Sequence, residues 1–471
     1  MSAVSPPGFQ VLVKPTGAIC NLGCHYCFFL SKENLYPGST FRMPEALLEA
    51  YIQQLFEASN EPEVMVSWQG GEPTLMGLGF FERSIELVNQ YKKPNQRVSY
   101  SIQTNGTRLD EAWCRFLRRH DFLVGLSIDG PKHIHDTYRV DKSDQGTFED
   151  VLRGWEMLAF HQVRVNVLCT VHAANAAHPV QIYRYFRDEL GAQFIQFIPI
   201  VERATSETLP LANLGWAKAG ARVRPLYTQA GRLVTRRSVK PKQYGRFLIE
   251  IFEEWVRHDV GRVFVQMFDV ALANWVGEPP GLCVFAETCG QALAVEHNGD
   301  LYACDHYVEP DYLLGNIRQT HLAELVRSAR QVQFGLEKRD ALPRYCRECT
   351  VRFACHGGCP RNRFVASPAS SGGSGGESGL NYLCAGYKAF FTHIDEPMRL
   401  MARMLHSGQP PADVMRWYAT QDAKRMLAYA SARPGEPCPC GSGKRYRHCH
   451  GRRASRAAVT GDIDRGPGPH A

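Results

Sequence analysis

The run Gln10-Val-Leu-Val-Lys14, followed after a short loop by Cys20-Asn-Leu-Gly-Cys24-His-Tyr-Cys27, decides how this chain is read. A β-rich segment opens onto a loop carrying three cysteines in C-x3-C-x2-C spacing. Working outward, similar short runs recur at Val64–Trp68, Val98–Gln103, Leu123–Ile128, Val163–Thr170 and Phe194–Ile200, separated by longer helical stretches. Most are nearly continuously apolar, as expected of strands covered on both faces. Six βα repeats predict an α/β fold with a parallel sheet, right-handed crossovers and a full or partial barrel, with the chemistry at the C-terminal strand ends. Polar motifs fall at those ends: Gln69-Gly70-Gly71-Glu72-Pro73 after the second run, Gln103-Thr-Asn105-Gly106 after the third, Ser127-Ile-Asp129-Gly130 after the fourth.

Three thiolates on a short loop can hold three irons of a four-iron cluster and leave the fourth open to a ligand. The same spacing also suits a three-thiolate zinc site. The glycines at 70 and 71 predict a close backbone approach to a ligand.

Eight of the sixteen cysteines lie in residues 283–384: Cys283, Cys289, Cys304, Cys346, Cys349, Cys355, Cys359 and Cys384. Eight thiolates suit two fully ligated four-iron clusters, or equally two all-thiolate zinc sites. That segment shows little periodicity, so metals are expected to organise it in place of an apolar core. The tail, Pro437-Cys438-Pro-Cys440-Gly-Ser-Gly-Lys-Arg-Tyr-Arg-His-Cys449-His450, offers three thiolates and an imidazole to one zinc ion. Cys114 and Cys169 fit no pattern and read as core residues. His133 and His135, beside Asp136 and Tyr138, read as loop structure.

The 471 residues are 44% hydrophobic and 21% charged, enough for a large core and more than one domain. Of the net charge of +7, residues 433–471 supply most, with eight Lys/Arg against three Asp/Glu, so the body is nearly neutral and no nucleic-acid partner is expected. No basic-then-apolar leader and no apolar run of membrane-spanning length stands out, which predicts a cytoplasmic protein without a membrane partner. The cysteines then read as metal or redox ligands more than as disulfides.

Residues 9–201 carry the βα core and 202–282 a mainly helical connector, with Lys242–His258 its clearest helix. Residues 283–384 form the Cys-rich domain, with a flexible loop at 366–379 by composition. Helices follow around Ala385–His406 and Asp413–Ser431 within 385–431; 433–451 hold the zinc motif, and 452–471 read as a disordered tail.

Together these motifs resemble the radical S-adenosylmethionine (SAM) superfamily over residues 9–201, and the second Cys set is similar to its SPASM extension. More narrowly, Gln69–Pro73, Cys304-Asp305-His306-Tyr307 and Gly379–Cys384 resemble the anaerobic sulfatase-maturating enzymes, over about residues 9–405. The resemblance implies a partial (β/α)6 barrel, then a SPASM domain, with three 4Fe–4S clusters. Cys20, Cys24 and Cys27 would hold the SAM-binding cluster. Cys283, Cys289, Cys304 and Cys359 would hold the first auxiliary cluster, and Cys346, Cys349, Cys355 and Cys384 the second. It implies SAM contacts at Tyr26, Gly70, Gly71, Glu72, Ser127, Arg139 and the backbone near Val201, and an essential base at Asp305; Gln69, beside the SAM loop, is a candidate for positioning the peptide backbone. The activity implied is oxidation of a sulfatase Cys or Ser to Cα-formylglycine through a 5′-deoxyadenosyl radical. The implied partners are an unfolded or nascent sulfatase and an electron donor such as flavodoxin or ferredoxin. The tail resembles the SEC-C zinc motif, with Cys438, Cys440, Cys449 and His450 as ligands and a docking partner to match. Two other readings stand beside this one: a SPASM maturase that crosslinks a small peptide, disfavoured by the nineteen residues before Cys20, and a non-catalytic zinc scaffold.

Overall fold

A computed structural model describes residues 8–217, 224–368 and 376–450. Six parallel strands run in sequence order across one sheet: β1 (Gln10–Lys14), β2 (Glu63–Trp68), β3 (Arg97–Thr104), β4 (Phe122–Ser127), β5 (Arg164–Val171) and β6 (Phe194–Pro199). All six expected runs form strands. Helices such as Glu45–Ala58, Leu78–Tyr91 and Phe148–Phe160 return the chain between them. The covered face buries Val11, Val13, Val66, Trp68, Ile102, Val124, Leu126 and Val167 completely or nearly so. The other face is more polar than continuous apolarity predicts: β3 presents Ser99, Ser101 and Gln103, and Ser101 donates to Ser67 at 2.9 Å.

The sheet does not stop at six strands. After a two-stranded pair, β7 (Arg203–Ala204) and β8 (Leu233–Val234), a short β9 (Phe264–Val265) joins β6 in parallel. Residues 202–282 therefore contribute strand as well as helix; the longer helices among the described residues are Pro241–His258 and Gln266–Val276.

At the opposite edge β10 (Ala292–Glu296) pairs in parallel with β1, and β11 (Asp300–Tyr302) and β12 (Leu313–Asn316) extend it antiparallel, giving ten strands. The expectation that only metals organise residues 283–384 is thus corrected. Phe285, Leu293, Val295 and Leu301 belong to the same buried cluster as β1 and β2. The signal was present in Glu296-His-Asn298-Gly299-Asp300, where Gly299 takes φ 95° and its amide donates to the Glu296 carbonyl at 2.9 Å, the Asn-Gly chemistry of a hairpin.

A small antiparallel pair, β13 (Arg363–Ala366) and β14 (Ser378–Asn381), flanks the segment expected to be a loop, of which residues 369–375 lie outside the described residues. The expected helix Ala385–His406 is two, Cys384–His393 and Asp395–His406. Pro397, in the first turn of the second, has no amide hydrogen to donate back into the first. Val414–Ser431 leads to the Cys-rich tail, and the expected disordered residues 452–471 lie outside the described ones. No helix among the described residues is long and apolar enough to cross a membrane.

Candidate active site

Parallel register brings the C-terminal ends of β1 to β6 to one mouth, and the loop bearing Cys20, Cys24 and Cys27 lies across it. Glycine at 71 is needed to seat that loop: a Cβ there would meet the Ile19 carbonyl oxygen at 2.0 Å. Instead the Gly71 amide donates to Gly17 O at 2.8 Å and the Glu72 amide to Ile19 O at 2.9 Å. The close approach expected of these glycines is therefore to the chain's own cysteine loop.

Glu72 is fully buried, and its carboxylate ties the ends of β2 and β3 together. Oε1 accepts from Thr74 N, Thr74 Oγ1 and Thr104 Oγ1 at 3.1, 2.7 and 2.7 Å, and Oε2 accepts from Asn105 N at 2.8 Å. Burial pushes its carboxyl above the ordinary range. Asn105 reaches on to the cysteine loop, its Nδ2 donating to Asn21 Oδ1 at 3.0 Å and lying 3.6 Å from Cys20 Sγ.

On the other side of the mouth, Tyr26 and Arg139 meet over a buried acid. Tyr26 donates to Asp129 Oδ2 at 2.6 Å, and the Arg139 guanidinium spans both Asp129 oxygens at 3.0 and 3.2 Å. The Thr170 amide and hydroxyl donate to Oδ1 at 2.9 and 2.8 Å. Burial would raise the Asp129 carboxyl, but Arg139 beside it holds it at about 2. His135, buried and next to Arg139, is pushed down to about 4 and stays neutral, its Nδ1 accepting from the Asp129 amide at 3.3 Å. Asp129 and Thr170 are thus the anchors of the expected contacts Tyr26 and Arg139. Asp129 was visible as a strand-end polar group, while Thr170 carried no signal. Ser127 ends β4 beside them, and Val201 is buried just beyond β6.

Asp305 opens the short helical turn after Cys304 and enters this mouth through an unexpected residue, Lys14. The Lys14 ammonium lies 2.5 Å from Asp305 Oδ1, donates to Gln69 Oε1 at 3.0 Å and sits 4.1 Å from the Phe29 ring centre. Gln69 in turn donates to Gln103 Oε1 at 2.5 Å. A chain of polar contacts, Asp305–Lys14–Gln69–Gln103, therefore joins the Cys-rich segment to β1, β2 and β3. Burial would raise the Asp305 carboxyl, but Lys14, His306 and Arg361 hold it below its ordinary value, so it is an anion at neutral pH. Lys14 closes an apolar strand, and nothing in its spacing marks it out.

No disulfide forms: all sixteen cysteines are free thiols. Burial raises Cys20, Cys24 and Cys27, with Cys24 pushed to about 12, and Cys20 is raised further by Cys24 and Cys27. The eight cysteines of residues 283–384 separate into two groups of electrostatic neighbours. Beyond burial, Cys283 responds to Cys359, and Cys289 and Cys304 each respond to Cys359 and Cys283. Likewise Cys355 responds to Cys384, Cys346 and Cys349, and those four line one small cavity with Tyr345 and Lys388. Cys114 and Cys169 are fully buried in the core.

In the tail, the ligand atoms of Cys438, Cys440, Cys449 and His450 lie within 4.8 Å of one another. Cys438 Sγ is 3.3 Å from His450 Nδ1, and Cys440 Sγ 3.6 Å from Cys449 Sγ. Tetrahedral bonds of about 2.3 Å put donors roughly 3.8 Å apart, so the group fits one zinc ion. Tyr429, on the helix before the tail, packs its ring 5.0 Å from that of His450 at a tilt of 48°.

Comparison with known proteins agrees with this geometry. The radical SAM superfamily matches residues 15–185, an iron–sulfur cluster-binding domain residues 283–350, and the SEC-C motif residues 436–452. A serine-type anaerobic sulfatase-maturating enzyme of Bacteroides thetaiotaomicron is 42% identical over 89% of this chain and 97% of that protein. A cysteine-type enzyme of Clostridium perfringens is 34% identical over 82% and 96%. Native anSMEcpe with bound AdoMet and Cp18Cys peptide superposes with a TM-score of 0.70 at 32% identity, covering 85% of this chain and 100% of that one.

Proposed function

Because the chain belongs to the anaerobic sulfatase-maturating enzymes, we propose that it oxidises an active-site Cys or Ser of a sulfatase to Cα-formylglycine, using SAM and iron–sulfur clusters. The observation that carries this reading is the ionised Asp305, held by Lys14, which also donates to Gln69, at the same mouth as the Cys20–Cys27 loop. When bound, SAM and the clusters supply one-electron chemistry: a 5′-deoxyadenosyl radical to remove the target Cβ hydrogen, and a sink for the second electron.

The protein's own groups do the rest. Asp305 accepts the thiol or hydroxyl proton as the carbon is oxidised. Lys14 fixes the carboxylate, and Gln69 positions the target backbone. A serine gives the aldehyde directly; a cysteine gives a thioaldehyde that water converts. Tyr26, Ser127, Arg139, Val201 and the 70–72 loop shape the SAM pocket, with Glu72 acting by holding the cysteine loop in place.

In this reading Cys20, Cys24 and Cys27 hold the SAM-binding cluster, while Cys283, Cys289, Cys304 and Cys359, then Cys346, Cys349, Cys355 and Cys384, hold two auxiliary ones. Supporting iron–sulfur over zinc, among the described residues only the tail brings three or more donors within 4.8 Å. A multi-iron cluster keeps its ligands farther apart than one zinc ion does. Residues 9–201 form the radical-generating core, 202–282 a connector, 283–384 the auxiliary domain, 385–431 supporting helices and 433–451 a zinc-binding tail. Electrons come from a flavodoxin or ferredoxin, and the work is done in the cytoplasm on a nascent or unfolded sulfatase.

The deciding experiment reconstitutes the protein anaerobically and follows peptides bearing Cys-x-Pro-x-Arg or Ser-x-Pro-x-Arg by mass, together with 5′-deoxyadenosine. Aldehyde formation in step with deoxyadenosine is expected for at least one peptide. Deoxyadenosine with neither peptide changed would turn the assignment to another peptide substrate, such as one that is crosslinked.

Lys14→Met tests the anchor of the base. Loss of the ammonium frees Asp305 and Gln69 together, and misplacing a catalytic group by about 1 Å can cost roughly a hundredfold. Peptide turnover is expected to fall by about that factor with iron content and deoxyadenosine release in the absence of peptide retained; unchanged turnover would remove Lys14 from the site.

For the tail, Cys438→Ser with Cys440→Ser is expected to remove one zinc per chain while leaving peptide turnover in vitro intact. Deleting residues 433–471 should lower sulfatase modification in cells if the tail docks a partner, and unchanged modification would argue against docking.

A further inference from the structure

Only three residues separate Cys355 from Cys359, yet on the reading above they serve different auxiliary clusters. The loop between them turns through three left-handed residues, His356 (φ 45°), Gly357 (72°) and Gly358 (62°), a conformation that histidine rarely adopts. Arg363 holds it there. Its Nε donates to Gly357 O at 3.1 Å, and its Nη2 to His356 O and Gly358 O at 2.9 and 3.1 Å. Its Nη1 donates to Lys338 O at 2.6 Å. Every acceptor is a neutral carbonyl, so the guanidinium charge is held without a carboxylate partner in these bonds. Against desolvation, the groups that favour its charge are Cys346, Cys359, Cys355 and Cys289, two from each cysteine set.

Lys338 is a second buried cation. Its Nζ donates to the carbonyls of Cys283 (2.5 Å), Val284 (3.0 Å) and Ala286. Three donated bonds use all three hydrogens of an ammonium, whereas a neutral amine has two. Burial lowers its pKa to about 8, and the thiols that favour its charge against this are Cys289, Cys283 and Cys359, all of the first set.

We propose that Arg363 and Lys338 are positioning residues for electron removal from the substrate, Arg363 stabilising an added electron on both auxiliary clusters and Lys338 on the first alone. The inference rests on the assignment of the two cysteine sets as cluster ligands. A thiolate-bound cluster gains negative charge on reduction, and a fixed cation in a desolvated site favours that gain. The first set includes Cys304, next to Asp305, so the site that takes the substrate's electron adjoins the group that takes its proton, and both cations favour that site.

The test is a redox titration of the reconstituted full-length protein followed by electron paramagnetic resonance, with iron and sulfide measured on each sample and signals assigned with Cys289→Ala and Cys384→Ala. Lys338→Met is expected to weaken electron uptake about tenfold at the first cluster, a fall of about 59 mV for a one-electron couple, with the second unmoved. Arg363→Gln should lower both, and Arg363→Lys should restore them. A fully loaded Lys338→Met protein with an unmoved first potential would overturn the proposal. So would a loaded Arg363→Gln protein with either potential unmoved. If Arg363→Gln does not load, Arg363→Lys at wild-type potentials together with the Lys338→Met shift sustains the proposal, and a lowered potential in Arg363→Lys defeats it. Iron for fewer than two auxiliary clusters in the unsubstituted protein would instead count against the ligand assignment.

Discussion

Asp305→Ala should stop formylglycine formation while 5′-deoxyadenosine continues to appear. A positioned proton acceptor contributes about 10²- to 10⁴-fold, so peptide turnover should fall by at least the lower of these. The argument separates two events by location. On the proposed assignment the cysteine loop and the Tyr26–Asp129–Arg139 cluster serve SAM, and none of these residues is a hydrogen-bond partner of Asp305. Asp305 is bound instead to Lys14, whose other partner is Gln69. Removing the carboxylate leaves the Lys14 ammonium buried against Phe29 and Gln69, so the substitution also costs some stability. Asp305→Asn keeps the shape and a hydrogen-bond acceptor but not the basicity. Its turnover should fall as far as that of the alanine variant; full turnover in either, measured with deoxyadenosine on the same sample, would remove Asp305 from the chemistry.

What the sequence revealed of this site divides by the range over which each signal acts. The C-x3-C-x2-C loop and the Gly-Gly-Glu-Pro turn are local, so spacing alone placed each at the end of its own strand, β1 and β2. The role of the glycines was less legible. A short turn rich in glycine announces a close approach but not its object, and here the object is the Ile19 carbonyl. Lys14 was invisible for a different reason: its partners stand 55 and 291 positions away, and a lysine closing an apolar strand looks like its solvated end. Strand pairing across such distances is also why β10 was missed. Its run Ala292–Glu296 is short, and only its register with β1, Lys14 beside Glu296, makes the Cys-rich segment part of the main sheet. The same pairing carries Asp305 to the mouth.

Replacing Cys20, Cys24 and Cys27 together by alanine should abolish both reactions, and it should do so without unfolding the protein. The loop lies above the sheet, whose buried Val11, Val13, Val66, Trp68, Val124 and Leu126 contribute roughly 1.5–3 kcal/mol apiece and touch none of the three thiols' functions. The thiols themselves are not paired in any disulfide, so no crosslink is lost. About four of roughly twelve irons should go, with the auxiliary signals retained, because the eight remaining ligands lie in residues 283–384. If SAM cleavage persisted in that variant, the auxiliary sites would have to be generating the radical. On the proposed assignment, four thiolates per auxiliary site leave no iron open to a ligand. Persistence would therefore overturn the division of the cysteines into one open and two closed sets, and with it the path that sends the substrate's proton to Asp305 and its electron to the site beside it.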